Sequence, residues 1–193
     1  MIKLLSLQVT TVFLVRHAHS EWSHGEARPL SRQGAAAARA LAARLSNQPI
    51  TAIYSSTSRR AVDTVAPLAE HLGLEIIMVE QLREREVPAV PLGEFEQMIK
   101  QAWRSPDVGP GGGESNLLAQ ARGVDVLKKI VTRHPGTTVV IATHGNLMAL
   151  IMSGLDRAYG YEFWRHLSFP DVYRLTFENG KLSTVARDWD SAA

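Results

Sequence analysis

Arginine and histidine stand together where apolar runs of this chain give way to polar ones. TVFLVRHAHSEW, residues 11–22, ends its apolar run on Arg16, His17 and His19; ATHGN, residues 142–146, carries His144 and Gly145; YSSTSRRA, residues 54–61, carries Arg59 and Arg60. A guanidinium forks two donors onto the oxygens of a phosphate, and the free amides of a helix that begins at such a point add their own. These groups therefore suit an anion, phosphate above all. One histidine beside a strand is more often a packing residue than a catalyst, but here the context recurs: Arg16-His17 and Thr143-His144-Gly145 each have neighbours small enough to admit a ligand. His24, His71, His134 and His166 have no such company and read as surface, cap or packing residues.

The segments meet only if the fold brings strand ends together. Thr11 to Val15 is β-branched and apolar on both faces, as a central strand should be, and residues 51–55 and 138–142 repeat the pattern. Helices are expected over 31–45, capped by Ser31, and over 59–72, stopped by Gly73. Residues 74–79 form another short apolar run, after which LREREVPAVPLGEFEQ, with clustered charges and two prolines, reads as an irregular excursion. A long amphipathic helix is expected from Ser115 to His134, with Leu117, Leu118, Ala121, Val124, Leu127, Ile130 and Val131 in register. A helix over 145–154 and strands over 172–177 and 182–186, joined by the Asn179-Gly180 turn signal, complete the chain.

This alternation predicts an α/β fold: a three-layer sandwich with a mostly parallel central sheet flanked by helices. In such sheets ligands bind at the carboxyl ends of the strands. Arg16, His17, residues 54–61 and residues 143–146 would then share one cleft, with LRERE, residues 82–86, beside it.

Composition sets the bounds. With 45% hydrophobic and 21% charged residues the 193-residue chain is neither disordered nor fibrous, and no linker divides it, so one domain over 1–193 is expected, its excursion at about 86–110 lying over the cleft. The formal charge is only +2 and no block of Lys or Arg appears, which argues against a nucleic-acid partner. No run reaches the ~18 apolar residues of a membrane span. Cysteine is absent, which removes disulfides and thiolate metal sites and suits a reducing compartment. The N-terminal MIKLLSLQVTTVFLV has the outline of a secretory leader, but Ser6, Gln8, Thr10 and Thr11 make it polar, and cleavage after it would remove Arg16 and His17. A cytoplasmic protein is expected, with a homodimer as one assembly open to it.

Taken together and in order, these motifs resemble the histidine phosphatase superfamily, the phosphoglycerate mutase-like family. LVRHAHSEW resembles its Arg-His-Gly strand end, with Ala18 for the glycine; SSTSRRA followed by Thr64 is similar to Ser-Ser-x-x-x-Arg-Ala-x-x-Thr, which aligns Arg60 with the pocket arginine. THGN resembles the second-histidine motif, and LRE aligns Glu84 with the proton donor of many members. GGGES, residues 111–115, and RPLSRQG, residues 28–34, resemble two helix starts of the family. Two departures stand out: Ser23 occupies the place of an Asn that contacts the phosphoryl group in mutases, and REVPAVPLGEF replaces their Gly-x-Trp-Glu-Gly.

The resemblance implies a metal-independent phosphatase that hydrolyses a phosphate monoester of a small phosphorylated substrate through a phosphohistidine, with no cofactor. His17 would be the nucleophile, Arg16, Arg60 and His144 the charge clamp, Glu84 the proton donor, and Ser20, Ser23 and Gly145 substrate contacts. His144 is expected at the rim of the pocket, and Phe95, Trp103, Phe163 and Trp164 are equally candidates for an aromatic outer wall or for the core. Phosphoglycerate mutase-type transfer between positions of a small metabolite is the alternative activity. Two readings of other classes compete: a metal hydrolase using His17, His19 and His144, against which the neighbouring arginines argue by repelling a cation, and a non-catalytic phosphate-binding module.

Overall fold

β1 (Val9–Arg16) and β4 (Thr138–Thr143) lie side by side at the middle of a six-stranded sheet. Every residue of β4 is buried, as a strand covered on both faces requires. Successive side chains of β1 point to opposite faces. Val12 and Leu14 join a core with α4 (Asn116–Arg133) and α5 (Gly145–Leu155); Phe13 and Val15 join a second core with α1 (Arg32–Leu45) and α2 (Arg59–Leu72). Four consecutive side chains are thus withdrawn from water, each stabilising the fold by ~1.5–3 kcal/mol. Helices, sheet and helices form three layers. This computed structural model describes residues 8–21 and 27–189; Ser23, His24 and the first seven residues of the leader-like run lie outside the described residues.

The strand order is β3-β2-β4-β1-β5-β6, with β2 (Ile50–Ser55) and β3 (Ile76–Met78) on one side and β5 (Asp171–Glu178) and β6 (Lys181–Arg187) on the other. The β1–β4, β2–β4 and β2–β3 pairs are parallel, and β5 runs antiparallel to both its neighbours. The sheet is therefore mostly parallel, as expected. Asn179 and Gly180 both take left-handed conformations (φ 50° and 78°), which gives the β5–β6 hairpin the twist of its strands.

Register brings the strand ends level. Arg16 pairs with Thr143, and Ser55 with Ala142. Just beyond, the His17 amide donates to the Thr143 carbonyl at 2.9 Å and the Ser56 amide to that of Ala142 at 3.0 Å. The loop after β1 is pinned from the other side by the start of α1. Ser31 donates its amide to the His19 carbonyl and accepts from the Gly34 amide, both at 3.0 Å. A Cβ on residue 34 would lie 1.9 Å from the His19 oxygen, so only glycine lets the helix approach this closely.

Two expectations need correction. Residues 92–104 of the excursion form a helix, α3 (Leu92–Arg104), because the prolines that suggested irregularity precede it at 88 and 91. The buried stripe of α4 runs through Ala119, Gly123, Val126, Leu127, Ile130 and Val131, leaving Leu117 and Leu118 exposed. Of the four aromatics open to either a cleft wall or the core, Trp103 and Phe163 pack against the main core.

Candidate active site

His17 leaves β1 as a buried residue, 5% exposed. Its Nδ1 lies 2.7 Å from the Ala18 carbonyl oxygen. A carbonyl only accepts, so Nδ1 carries the proton and Nε2 keeps its lone pair. Burial above all, helped by the charges of Arg60, Arg16 and Arg28 and opposed by the Ala18 carbonyl, holds the imidazole pKa down at about 3. The ring is therefore neutral near pH 7. The Ala18 amide donates to Thr64 Oγ1 at 2.9 Å, and Thr64 donates to the Arg60 carbonyl at 2.7 Å, which ties this loop to the first turn of α2.

The arginines occupy the closed end of the same space. Arg16 donates Nη1 to the Leu167 carbonyl at 2.7 Å, and its Cζ lies 3.4 Å from the centroid of the Phe169 ring. Burial brings its pKa down to about 10, with Glu84 and Asp171 opposing. Gly145 lies against this guanidinium: a Cβ there would sit 3.0 Å from Cζ, Nε and Nη2. Arg60, 4% exposed, donates Nη2 to His144 Nδ1 at 3.0 Å, whereas Arg59 turns outward to Asp63 at 3.3 Å. Position 60 points inward because Ala61, Thr64, Val65 and Leu68 share its buried face.

His144 stands behind this shell rather than at the rim. It is wholly buried, and burial, together with His17 and the arginines, pushes its pKa well below the ordinary value. Arg60 can only donate, so Nδ1 of His144 accepts and Nε2–H donates to Ser56 Oγ at 2.8 Å. The His17 and His144 rings lie edge to face with centroids 5.2 Å apart.

Glu84 is no solvated loop carboxylate. Its Oε2 accepts from the Asn146 amide at 3.1 Å, and its Oε1 from the Leu147 amide at 3.0 Å and the Arg85 amide at 2.8 Å. His144, the N-cap residue of α5, makes no side-chain capping bond, so Glu84 caps that helix from another part of the chain. The loop that presents it is clamped by Glu114 and Arg122. Arg122 binds both carboxylate oxygens of Glu114, at 2.9 and 2.7 Å, and donates to the carbonyls of Gln81 and Arg83 at 2.6 and 3.1 Å. Arg83 and Arg85 are drawn to Glu114 as well, the first to its carboxylate at 3.4 Å and the second to its carbonyl at 3.2 Å.

A cavity of about 750 Å³ opens over these groups, lined by Arg16, His17, Arg60, Glu84 and Gly145, and also by Ser20. Phe95 and Trp164 line it too, as expected; His144 does not. A cleft of about 800 Å³ on the outer side of α3 holds none of the candidate residues. His19 also lines the cavity, its Nδ1 lying 2.8 Å from Ser31 Oγ, and among the described residues no group of three or more His, Cys, Asp or Glu gathers as a metal site. Ser23 lies outside the described residues. Sequence reasoning missed Arg28, which lines the cavity and lowers the pKa of both buried histidines, and Phe169. Arg28 belongs to RPLSRQG, a motif read only as a helix start; nothing near Phe169 marks it.

Known proteins carry the same arrangement of chain. The model of the histidine phosphatase superfamily (branch 1) matches residues 12–190. The chain is 32% identical over 169 residues to a metal-independent phosphoserine phosphatase of Arabidopsis thaliana, covering 78% of this chain and 71% of that one. It is 31% identical over 201 residues to a 2,3-bisphosphoglycerate-dependent phosphoglycerate mutase of Brucella anthropi, covering 91% and 95%. Among solved structures, YhfR of Bacillus stearothermophilus superimposes with a TM-score of 0.79 at 28% identity, over 95% of this chain and 98% of the other. A mycobacterial glucosyl-3-phosphoglycerate phosphatase does so at 0.77 and 23%, over 96% and 100%, a likeness of fold.

Proposed function

This chain belongs to the histidine phosphatase superfamily, branch 1, and from that premise we propose that it is a phosphoric monoester hydrolase that acts without a metal ion and carries the phosphoryl group on His17. The observation that carries the reading is the state of that imidazole: neutral, its Nδ1 proton given to the Ala18 carbonyl, its Nε2 lone pair left for attack.

The Nε2 lone pair forms a bond to phosphorus as the bond from phosphorus to the ester oxygen breaks. Arg16, Arg28 and Arg60 surround the transferring group and neutralise its oxygens with fixed donors, in place of a divalent cation. Glu84, in its protonated form, gives its proton to the departing oxygen. Water then attacks phosphorus, Glu84 takes a proton back, and the nitrogen–phosphorus bond breaks to release phosphate and neutral His17. His144 acts through Arg60, whose Nη2 it anchors from behind, and Ser56 fixes the tautomer that lets it accept. Ser20 and Gly145 line the site.

Relatives named as mutases keep phosphoryl transfer between positions of a metabolite as the second reading. What favours hydrolysis is that Arg83 and Arg85, which flank the aligned proton donor and line the cavity, each give a donor to Glu114, the first to its carboxylate and the second to its carbonyl. The test is hydrolysis of p-nitrophenyl phosphate by purified protein treated with a chelator. Activity should be retained, and vanadate, which takes a five-coordinate form like the transferring group, should inhibit competitively. Loss in chelator with recovery on adding zinc or magnesium would overturn the reading.

A further inference from the structure

Resting on the hydrolase reading above, we propose that the ester taken by this site has an uncharged, apolar leaving group, an aryl or similarly wide hydrocarbon alcohol, in place of a small carboxylated one. The cavity has two unlike ends. Arg16, Arg28 and Arg60 gather about His17, close enough for all three to act on its charge. The cavity's remaining lining includes Val87, Ala89 and Val90 from the stretch before α3, Phe95 of α3, and Trp164 of α6 (Tyr161–Arg165), next to Arg83, Arg85 and Glu86. Phe95 and Trp164 lie with ring centroids 6.4 Å apart, tilted by 46°, so two packed aromatics form part of that lining.

Phe169 stands between the ends. Its ring lies 5.5 Å from that of His17 and stacks on Arg16, yet it is 44% exposed, a large apolar surface kept in water beside the reacting nitrogen. With Val87, Val90, Phe95 and Trp164 it gives the cavity an apolar lining that suits an apolar group.

The charges of the outer half point the same way. Arg83 is paired with Glu114 at 3.4 Å and Glu80 at 3.6 Å. Arg85 lines the cavity beside it, is 1% exposed, donates to the Glu114 carbonyl and keeps Nε and Nη2 buried. Glu86 is an exposed carboxylate in that lining. A leaving group bearing a carboxylate would meet Glu86 as a like charge and find Arg83 already paired, whereas a hydrocarbon ring would lose only unfavourable hydration. A cavity of about 750 Å³ also holds far more than a phosphate and a three-carbon chain.

The test compares kcat/KM within two matched pairs: 1-naphthyl against phenyl phosphate, which leave with similar ease, and benzyl phosphate against O-phosphoserine, both primary alkyl esters. The naphthyl ester should be preferred by ~10-fold from the added ring contact, and the benzyl ester by ~100-fold from the carboxylate's repulsion. Trp164→Ala and Phe95→Leu should each shrink the naphthyl-to-phenyl ratio; being internal to one preparation, the ratio is insensitive to a fraction of misfolded protein. O-phosphoserine used as well as benzyl phosphate, or a ratio that neither substitution changes, would overturn the inference alone. No hydrolysis of any of the four esters and no phosphorylated His17 would overturn the hydrolase reading and this inference with it.

Discussion

At His17, burial and hydrogen bonding agree on one state of the ring. Removing imidazole from water opposes its charged form, the carbonyl of Ala18 holds the proton on Nδ1, and nearby arginines oppose a second proton. Those arginines are placed by small neighbours, which Gly145 illustrates. Its missing side chain is the space occupied by the Arg16 guanidinium, with 3.0 Å between a Cβ and three of its atoms. Gly145→Ala should therefore displace Arg16 and weaken inorganic phosphate binding by ~10-fold or more, the scale of a charge-assisted contact, while the melting temperature moves little. Calorimetric titration with phosphate checks it, and unchanged affinity would separate Gly145 from Arg16. Arg16, His17 and His144 were legible because their types recur at strand ends, and Arg60 was told from Arg59 by the family resemblance. Arg28 and Phe169 were not, since they reach the cavity from loops whose path no local pattern encodes.

Elements set the distances that residues alone cannot. The ends of β1, β2 and β4 were readable because continuous β-branched runs and the ligand rule for parallel sheets leave few arrangements. The clamp on the Glu84 loop was not readable, because it joins Gln81 and Arg83 to Glu114 and Arg122 across tens of residues through side chains that look like ordinary surface charges. It has a consequence for chemistry. Glu114 is an acid kept ionised by Arg122 and Arg83 despite burial that opposes its charge. Glu114→Gln should loosen the loop and misplace Glu84 relative to the leaving oxygen. Esters of poor leaving groups, which need that proton, should slow by ~10–10²-fold, and p-nitrophenyl phosphate, which needs it least, by much less. A loss equal for both classes of ester would mean that the clamp does not act through Glu84.

For the molecule as a whole, burying neutral histidines links stability to pH. His17 titrates at an ordinary value of 6.5 when unfolded and at about 3 when folded, and His144 and His134 are lowered in the same direction. Below the unfolded value the unfolded chain binds more protons, so the contribution of His17 is full above pH ~6.5 and is lost as pH falls toward about 3, by up to ~1.4 kcal/mol per pH unit, and His144 acts in the same direction. Urea titrations across that range should find the decline, and His17→Asn should make it shallower; a flat profile would contradict burial of neutral rings. The account's central claim concerns which of these rings carries phosphate. Protein quenched in alkali during turnover of a ³²P-labelled ester, where a phosphoramidate survives, and digested to peptides should carry its label on the peptide containing His17. His17→Ala should abolish it, and His144→Ala should slow its formation by ~10²–10³-fold, the usual loss on weakening one such donor. Label on the His144 peptide, or full turnover by His17→Ala, would contradict the account.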